Sequence, residues 1–545
     1  MPYQIFHTNE WLYPDTLISE SGPDSISLST ARGSRAGCQI LIQLEDVGAP
    51  LSWTYTPTPS AAMNCDNIQM ELFRLRDVLV NENTGPKYST IPVGTPADYI
   101  TRPAPFRVYD ALQRVDQAFT TSSPKEALYV SWHIPASLLP SIYHGEICLT
   151  AGNQAINIPV TLEVFQAVVP EQETLAITNW LSNQNAATYH GLELWSEDHW
   201  HMLRKYGEAM RRTRQTHFLV GLELIDIQED TGRYTFDFTK VKRYIELFLS
   251  LGFTGIEGGH LASRTGWDDP LFVLNYRNDI KATSPEGYTF LAQFLPAWQQ
   301  FLQQHDWLDR TIQHVADEPI QQSASDFRIL SSIVRKFMPG VKLIEAMIYP
   351  HIEGSLDIWV PTNEGFDQHQ AHFQHLQNLG ETVWFYTCWN PGGHYLNRFL
   401  DIPLLKTRYL HWGNYKYGLK GYLHWGFNMY LDNQDPFELT CPYLAPGVHA
   451  KRVPSGDTHI VYPDAEGPML SMRLEAMRLG VEDYELLQLL AGVNKPLADE
   501  ILQSCFFSFT GVETNSVNFD LAHRRLLEAV SASCYNFPEN ERVLT

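Results

Sequence analysis

The alternation of apolar and polar positions divides the chain into two regions with different secondary structure. Up to about residue 167, short runs with a period of two recur at 38–44, 69–79 and 127–134, as expected for strands with one buried face. The last two runs, 145–150 and 156–164, are separated by the turn-forming residues AGNQ and predict a hairpin. Stretches rich in Pro, Gly and Ser separate the runs. We therefore predict an N-terminal β-sandwich over residues 1–167.

From residue 168 onward, apolar runs alternate with helical patterns. Strands are predicted at 175–182, 217–222, 254–261, 311–317, 342–347, 357–362, 382–389 and 421–428. Helices are predicted at 197–214, 237–251, 286–304, 323–338, 364–379, 396–418 and 468–491. This order, with strands that are apolar on both faces, predicts a (β/α)8 TIM barrel over residues 168–492. An open doubly wound sheet is the alternative, but no GxGxxG follows its first strand.

The C-terminal stretch returns to helical patterns, at 496–506 and 518–532. We predict a helical extension over residues 493–545 that packs on the barrel. Three domains agree with a length of 545 residues, which is too long for a single hydrophobic core.

Charge and composition narrow the class of partner. The formal net charge is -23, so the chain repels nucleic acid and anionic membrane surfaces. The N-terminus lacks the basic and apolar regions of a signal peptide, and no run of about 18 apolar residues predicts membrane insertion. The seven Cys are scattered without a CxxC motif, which favours free thiols in a reducing compartment. We expect a cytoplasmic protein whose partner is a neutral or weakly charged small molecule.

One stretch of the predicted barrel combines a buried strand with two adjacent carboxylates. Residues 313–319 are predicted to form a short buried strand that ends in Asp317 and Glu318, followed by Pro319. Barrel enzymes carry their catalytic residues at the carboxyl ends of the strands. A structural role is the alternative, because Asp favours helix N-caps and Pro the first helical turn. Ser323 gives the next helix a start of its own, at a capping-box-like spacing, which would leave both acids free.

Adjacent carboxylates suit one particular way of hydrolysing a glycoside. The ordinary retaining mechanism needs two carboxylates about 5 Å apart across the scissile bond. Neighbours on one strand cannot provide this, because their side chains point to opposite faces. In the substrate-assisted route, the 2-acetamido oxygen of the sugar attacks the anomeric carbon instead. One acid then orients the acetamido nitrogen, and the other donates and takes back the proton.

Three segments resemble a known family. Residues 314–319 (HVADEP) resemble the catalytic strand of glycoside hydrolase family 123. Residues 456–463 together with 471–487 look like the closing segment of that family and of its uncharacterised bacterial relatives, and residues 421–428 are similar to its eighth strand. The resemblance implies a β-N-acetylgalactosaminidase with a β-sandwich, a (β/α)8 barrel and substrate-assisted catalysis. It also implies that Asp317 stabilises the acetamido group and that Glu318 is the acid/base.

Aromatic and amide residues at the predicted strand ends would give a hexose pocket its stacking faces and hydrogen bonds. The candidates are Trp425, Trp389, Tyr386, Asn428, His260, Trp180, Trp359 and Asn363. For each one alone, core packing is as good an interpretation as sugar contact. Tyr386 is a candidate for the hydrogen bond to the acetamido carbonyl.

Two other groups of polar residues are interpreted as structural. His369, His372 and His375 recur on one predicted helix, but no Cys or carboxylate pair joins them with zinc-ligand spacing, so a solvated helix face is favoured. The charged residues of the last barrel helix are expected to form structural ion pairs; they are Glu482, Asp483, Glu485, Arg473 and Arg478.

These patterns predict a retaining exo-glycosidase that releases terminal β-linked N-acetylgalactosamine, or a related N-acetylhexosamine, from a glycan or glycoconjugate without a metal or cofactor. One alternative is a hydrolase of a different sugar with a conventional nucleophile, such as Glu345 or Glu257. The other is a non-catalytic carbohydrate-binding barrel.

Overall fold

The protein divides into two compact units, each built from separate segments of the chain. The structure, a computed structural model, describes residues 1–19, 22–58, 68–87, 89–266, 269–443 and 452–533. The first unit comprises Met1–Thr174, Gly392–Lys416 and Tyr430–Thr545, and the second comprises Leu175–Pro391 and Tyr417–Met429. The division differs from the predicted domains 1–167, 168–492 and 493–545, because most of the chain after Pro391 contributes to the first unit.

The N-terminal part of the first unit is all β. Its strands are β1 Tyr3–His7, β2 Ile26–Arg32, β3 Arg35–Gln43, β4 Pro50–Pro57, β5 Gln69–Val80, β6 Asn83–Thr84, β7 Thr90–Ile91, β8 Phe106–Val115, β9 Ala118–Thr120, β10 Lys125–His133, β11 Ser141–Ala151 and β12 Gln154–Val168. One sheet has the order β1-β3-β10-β5-β8 and is extended by two C-terminal strands, and the other has the order β2-β12-β11-β4-β9. The predicted hairpin is present as β11 and β12, joined through Gly152 at a positive φ of 56°.

A hydrophobic core joins these two sheets. Strand β11 alternates as predicted, with Ile147 and Leu149 buried and Ile142 exposed. Ile147 and Leu149 pack in one cluster with Ile40 and Val130 of the larger sheet. The larger sheet is buried on its other face as well, so β3 and β10 read as nearly continuous apolar runs.

The second unit alternates strands with helices. Its strands are β13 Ala176–Asn179, β14 His217–Val220, β15 Asp226–Asp230, β16 Arg233–Asp237, β17 Gly255–Gly258, β18 Ala262–Arg264, β19 Phe272–Leu274, β20 Thr311–His314, β21 Lys342–Met347, β22 Ile358–Pro361, β23 Thr382–Val383, β24 Phe385–Tyr386 and β25 Gly421–His424. Strands β14-β17-β20-β21-β22-β23 form one parallel sheet, and β13-β25-β24 form another. The pairs β15–β16 and β18–β19 are antiparallel hairpins in the connections.

Every predicted strand of this unit has a counterpart in the structure, though most are shorter than predicted. The predicted strand 382–389 is divided into β23 and β24 at Trp384.

The helices of the two units are α1 Asn183–Thr188, α2 Glu197–Arg212, α3 Thr239–Ser250, α4 Pro285–Gln304, α5 Ala324–Phe337, α6 Asn363–Gln368, α7 Gln370–Asn378, α8 Leu405–Tyr417, α9 Met472–Gln503 and α10 Ser516–Ser533. The prediction 396–418 was wrong at its start, because α8 begins only at Leu405.

Local sequence explains where several helices begin. The hydroxyls of Ser196 and Ser284 accept hydrogen bonds from backbone N–H groups in the first turns of α2 and α4. In α2, acidic residues occupy the first turn and basic residues the last, which matches the helix dipole. The buried face of α2 contacts α1 and α3, and that of α4 contacts α5 and the hairpin strand β16.

The C-terminal segment completes the first unit. Strands β26 Tyr462–Asp464 and β27 Gly467–Ser471 extend the larger sheet through antiparallel pairing of β27 with β8. Helix α9 is broken at Asn494, whose backbone is not helical, so the two helical patterns predicted there are confirmed. Helix α10 packs on β12 and α9.

The charged residues of α9 form buried ion pairs, as predicted. Arg473 pairs with Asp110 at 2.9 Å, and Arg408 pairs with Asp483 at 2.6 Å. These charges are fully buried rather than exposed on a helix surface.

Five of the seven Cys, at positions 38, 148, 388, 441 and 505, are free thiols, and Cys65 and Cys534 lie outside the described residues. Among the helices that the structure describes, none combines the length and apolarity needed to cross a membrane.

Candidate active site

The acid pair lies directly after β20, where the chain leaves the parallel sheet. All four residues of β20 are buried, and Asp317 and Glu318 follow after two further buried residues. Glu318 has a positive φ of 43°, in the left-handed region that a residue with a Cβ rarely adopts. Such conformations cost about 1–2 kcal/mol and cluster at functional sites. The turn therefore points to a function for this residue.

Neither acid caps the following helix. Helix α5 begins at Ala324, after a 3-10 turn over Gln321–Ser323. Ser323 occupies the N-cap position, as predicted, but its hydroxyl makes no capping bond; it contacts the backbone N–H and carbonyl of Ile320 at 3.0 and 3.1 Å. The helix thus begins without using Asp317 or Glu318.

Glu318 is held in a protonated state by its surroundings. Its carboxyl accepts a very short hydrogen bond from the Tyr386 hydroxyl and lies 3.9 Å from the Arg264 guanidinium. Burial and the neighbouring charge of Asp317 raise the pKa of Glu318 to about 8, although Tyr386 and Arg264 oppose the shift. A carboxyl that keeps its proton at neutral pH can act as a general acid.

Asp317 is more open to solvent and faces a histidine. Its side chain is 39% exposed, and its Oδ1 lies 3.7 Å from His260 Nε2. Desolvation by the surrounding protein raises the pKa of Asp317, while His260 lowers it. The two neighbouring acids thus have different environments and can take different roles.

A buried network of charges lies next to the acid pair. His314 Nδ1 is 2.9 Å from Glu345 Oε1, and His314 Nε2 is 2.7 Å from Glu257 Oε1. Burial alone would lower the pKa of His314, but the two carboxylates raise it to about 10, so the ring is an imidazolium. In turn, burial would raise the pKa of Glu345, but His260 and His314 lower it to about 2.

Glu345 connects this network to the turn that carries Asp317 and Glu318. Its Oε2 accepts hydrogen bonds from the backbone N–H groups of Val315 and Ala316, both at 2.9 Å. Its Oε1 also lies 2.9 Å from His260 Nε2. One side chain therefore holds both the backbone that leads into Asp317 and the histidine that faces it.

Both carboxylate oxygens of Glu257 also accept hydrogen bonds. It accepts hydrogen bonds from the Thr178 hydroxyl at 2.6 Å and the Trp180 indole at 2.8 Å, in addition to the contact with His314. Burial opposes ionisation, but these donors lower its pKa, and the carboxylate is fully buried.

Four of the predicted aromatic residues belong to one cluster. Tyr386 is buried in it, and Trp180, Trp389 and Trp425 pack against it, each with part of its ring exposed. The Tyr386 hydroxyl reaches Glu318, so the structure assigns it to the acid rather than to a free position in the pocket. His260 also lies here, edge-on to Trp180 with ring centroids 5.3 Å apart.

Three other predicted pocket residues are fully buried. Trp359 is fully buried, with its indole 3.3 Å from Glu381. Asn363 is buried in the first turn of α6. Asn428 is buried and exchanges two hydrogen bonds with the backbone of Ser182, at 2.7 and 3.0 Å, so it fixes the start of α1.

Sequence reasoning missed Arg264 and the joint role of His314, Glu257 and Glu345. A usable signal was present for the glutamates, because a charge inside an apolar strand must find a partner when it is buried. Arg264 gave no such signal, since β18 is only three residues long.

His260, His314 and Glu345 bring three possible metal-ligand atoms within 4.8 Å of one another. The hydrogen bonds already described use both nitrogens of His314 and both oxygens of Glu345. The chemistry of this donor set therefore fits a hydrogen-bonded charge network better than a metal centre.

An acid-rich site at the ends of parallel strands, bordered by aromatic rings, is typical of enzymes built on an α/β unit. The sequence model of "Glycoside hydrolase 123, catalytic domain" matches residues 180–490, which is more than half of the chain. The protein therefore belongs to glycoside hydrolase family 123 and is a glycoside hydrolase, as the resemblance of residues 314–319 had implied.

A solved structure from the same family agrees with this assignment at the level of the fold. A family 123 glycoside hydrolase from Clostridium perfringens, studied for glycolipid glycan hydrolysis, is 15% identical, with a TM-score of 0.73 and 98% of each chain covered. A GH39 enzyme from Xanthomonas axonopodis pv. citri is 11% identical with a TM-score of 0.38, covering 58% of this chain and 66% of its own. No curated protein matches the chain.

Proposed function

We propose that the protein is a retaining exo-β-N-acetylhexosaminidase that releases terminal β-linked N-acetylgalactosamine, or a related N-acetylhexosamine, by substrate-assisted catalysis. The observation that carries the proposal is the adjacency of a protonated Glu318 and a more exposed Asp317 at one strand end. The Clostridium perfringens relative was studied for glycolipid glycan hydrolysis, which suggests a glycoconjugate substrate here too.

The proposed reaction divides the work between the two acids. The acetamido oxygen of the substrate attacks the anomeric carbon while Glu318 transfers its proton to the departing glycosidic oxygen. Asp317 accepts the acetamido N–H and stabilises the positive charge that develops on the resulting oxazoline. Water then attacks the anomeric carbon and gives a proton to the Glu318 carboxylate, which restores the enzyme and retains the β configuration.

The buried network argues against the conventional alternative. A carboxylate nucleophile has to reach the anomeric carbon with a free oxygen. Glu345 and Glu257 are fully buried, and the contacts already described use both oxygens of each. They are better suited to holding His314 and His260 than to attacking a sugar.

The proposed architecture is a β-sandwich and a (β/α)8 barrel. The shared core of the two first-unit sheets supports the sandwich. In the second unit, Thr362 bridges to Tyr386 between β22 and β24, and the N–H of Thr216, next to β14, donates to Ile177 of β13 at 3.1 Å. These contacts link the two parallel sheets on both sides, which supports a closed ring of eight strands when β23 and β24 are counted as one.

Hydrolysis of aryl β-glycosides tests the proposal. Wild-type enzyme is expected to cleave aryl β-N-acetylgalactosaminide or β-N-acetylglucosaminide and to leave the matching β-galactoside and β-glucoside intact. An acetamido-thiazoline, which mimics the cyclised sugar, is expected to inhibit competitively. Cleavage of the sugars without an acetamido group, together with no inhibition, would establish the conventional mechanism instead.

The Glu318→Gln variant identifies the acid. Loss of a general acid is expected to lower kcat about 10²- to 10⁴-fold with a poor leaving group. The loss is expected to be much smaller with a dinitrophenyl leaving group, which departs without a proton. Equal losses with both substrates would show that Glu318 is not the acid.

A further inference from the structure

A second cluster of ligand-type side chains lies in the second unit, apart from the network around Glu345. His351 and Glu353 are in the loop between β21 and β22, and His372 is in α7. The distance from Glu353 Oε1 is 3.5 Å to His351 Nδ1 and 4.0 Å to His372 Nε2. One ligand atom of each residue lies within 4.8 Å of the other two.

These distances are close to those of a tetrahedral zinc site. Zinc lies about 2.0–2.2 Å from nitrogen and carboxylate ligands, so the ligand atoms of a tetrahedral site are about 3.3 Å apart. Two His and one Glu with an open fourth position is an established zinc ligand set. Because His351 and Glu353 are half exposed, a small movement of their side chains is enough to close the site.

Neighbouring residues already orient the cluster. The Arg328 guanidinium lies 3.8 Å from Glu353 Oε2 and donates to the His351 carbonyl at 2.7 Å. Arg328 thereby holds the loop and one carboxylate oxygen, while Oε1 remains directed at the histidines. Such outer contacts orient metal ligands and contribute to affinity. The rings of His351 and His372 pack edge-on, with centroids 5.0 Å apart.

The histidine pattern on the helix alone does not make this site. The predicted single helix is interrupted at His369, between α6 and α7, and His375 is exposed. The carboxylate of the cluster, Glu353, comes from the loop between β21 and β22 rather than from the helix. Sequence spacing along one helix could not reveal this pairing.

We propose that His351, Glu353 and His372 form a binding site for a zinc-class divalent cation, with water completing the coordination. In the structure, His372 Nε2 contacts the Pro350 carbonyl at 3.2 Å, which requires the ring proton to be on Nε2. Binding of the cation through Nε2 therefore requires that proton to move to Nδ1. The cation then fastens the loop after β21 to α7. In the same loop, the N–H of Tyr349 donates to the carbonyl of Pro319 at 3.2 Å, directly beside Glu318.

Equilibrium dialysis of metal-free enzyme against zinc chloride tests the site. Wild-type protein is expected to bind one zinc ion that competes with a fluorescent chelator. His351→Ala and His372→Ala are each expected to lower the zinc affinity at least about tenfold. His375→Ala, an exposed histidine on the same helix, is the matched control and is expected to bind zinc like the wild type.

Hydrogen exchange supplies a readout that is independent of activity. Zinc is expected to slow amide exchange in residues 348–356 of the wild type and of His375→Ala, but not of His351→Ala. Because His351 is half exposed, its replacement is expected to leave the fold intact, which thermal unfolding without metal checks. Unchanged zinc affinity in both variants, or no stoichiometric binding to the wild type, would overturn the proposal.

Discussion

At the scale of single residues, the acid chemistry depends on what surrounds Glu318. The left-handed turn at Glu318 places its carboxyl against Tyr386 and Arg264, while Asp317 remains beside His260. Burial keeps the proton on Glu318, because the charged form loses its hydration. Two adjacent carboxyls of similar intrinsic acidity thus lie in different surroundings, as the proposed division into an acid and a stabiliser of the acetamido group requires.

The pKa of Glu318 predicts the alkaline limb of the pH profile. The acid must be protonated to work, so kcat/KM is expected to fall as the pH rises through about 8. The Tyr386 hydroxyl lowers the pKa of Glu318, because its hydrogen bond favours the charged form. Tyr386→Phe is therefore expected to move the limb to higher pH.

The profile of kcat/KM with an aryl N-acetylhexosaminide, measured from pH 5 to pH 10, checks this prediction. Tyr288→Phe is the matched control, because this exposed hydroxyl contacts Lys336 on the surface of the second unit. A limb that stays in place in Tyr386→Phe, or moves to lower pH, would contradict the assigned hydrogen bond.

At the scale of secondary structure elements, Glu345 on β21 holds the carboxyl end of β20. The bonds to Val315 and Ala316 reach the backbone just before the acids, and the contact with His260 reaches the group that faces Asp317. The site is therefore positioned by a neighbouring strand rather than by the loop alone, which favours a rigid geometry.

Glu345→Gln is expected to disturb this arrangement while keeping the size of the side chain. The variant removes one of the two carboxylates that pair with His314 and leaves Glu257 in place, so we expect a loss of stability below the about 3–5 kcal/mol of a fully broken buried pair. Because the catalytic turn loses its support, we also expect kcat/KM to fall about 10- to 100-fold. Urea unfolding and steady-state kinetics measure the two effects.

Glu246→Gln, on the exposed face of α3, is the matched control and should change neither quantity. A lower kcat with an unchanged KM would show that Glu345 positions the acids rather than the sugar. Wild-type kinetics in Glu345→Gln would refute the positioning role.

The sequence predicted the elements of the second unit well and their mutual contacts poorly. Long apolar runs located the strands, and the acid pair was found because it interrupts one of these runs at its end. The start of α8, in the first unit, was misplaced because apolar residues before it, among them Leu396, Phe399 and Leu400, are buried without being helical. The contacts of Arg264 and Glu345 could not be predicted, since they join segments that meet only in the folded chain.

At the scale of the whole molecule, the C-terminal segment completes a unit that the N-terminus begins. Asp110 on β8 and Arg473 at the start of α9 are 363 positions apart in the chain, yet both are fully buried and paired. Arg473 also donates to the carbonyls of Gly456 and Arg398, and Asp110 accepts from the Tyr462 hydroxyl. The segment 456–487, which resembles the closing segment of the family, is thus structural in this protein.

This arrangement predicts that the first unit depends strongly on one ion pair. Arg473→Met leaves Asp110 buried without its cation, and breaking a buried pair from one side typically costs about 3–5 kcal/mol. We expect urea unfolding of this variant to begin at a clearly lower concentration than in the wild type. Arg525→Met is the matched control, because its pair with Glu500 is exposed and its loss should leave the transition nearly unchanged.

The double variant Asp110→Leu/Arg473→Met separates the cost of the unpaired charge from the value of the pair. Because two apolar side chains of similar volume remove both buried charges, the double variant is expected to be more stable than Arg473→Met alone. A double variant as unstable as the sum of the two single variants would show no coupling between Asp110 and Arg473. Each side chain would then stabilise the unit through its other bonds, Arg473 to the Gly456 carbonyl and Asp110 from the Tyr462 hydroxyl.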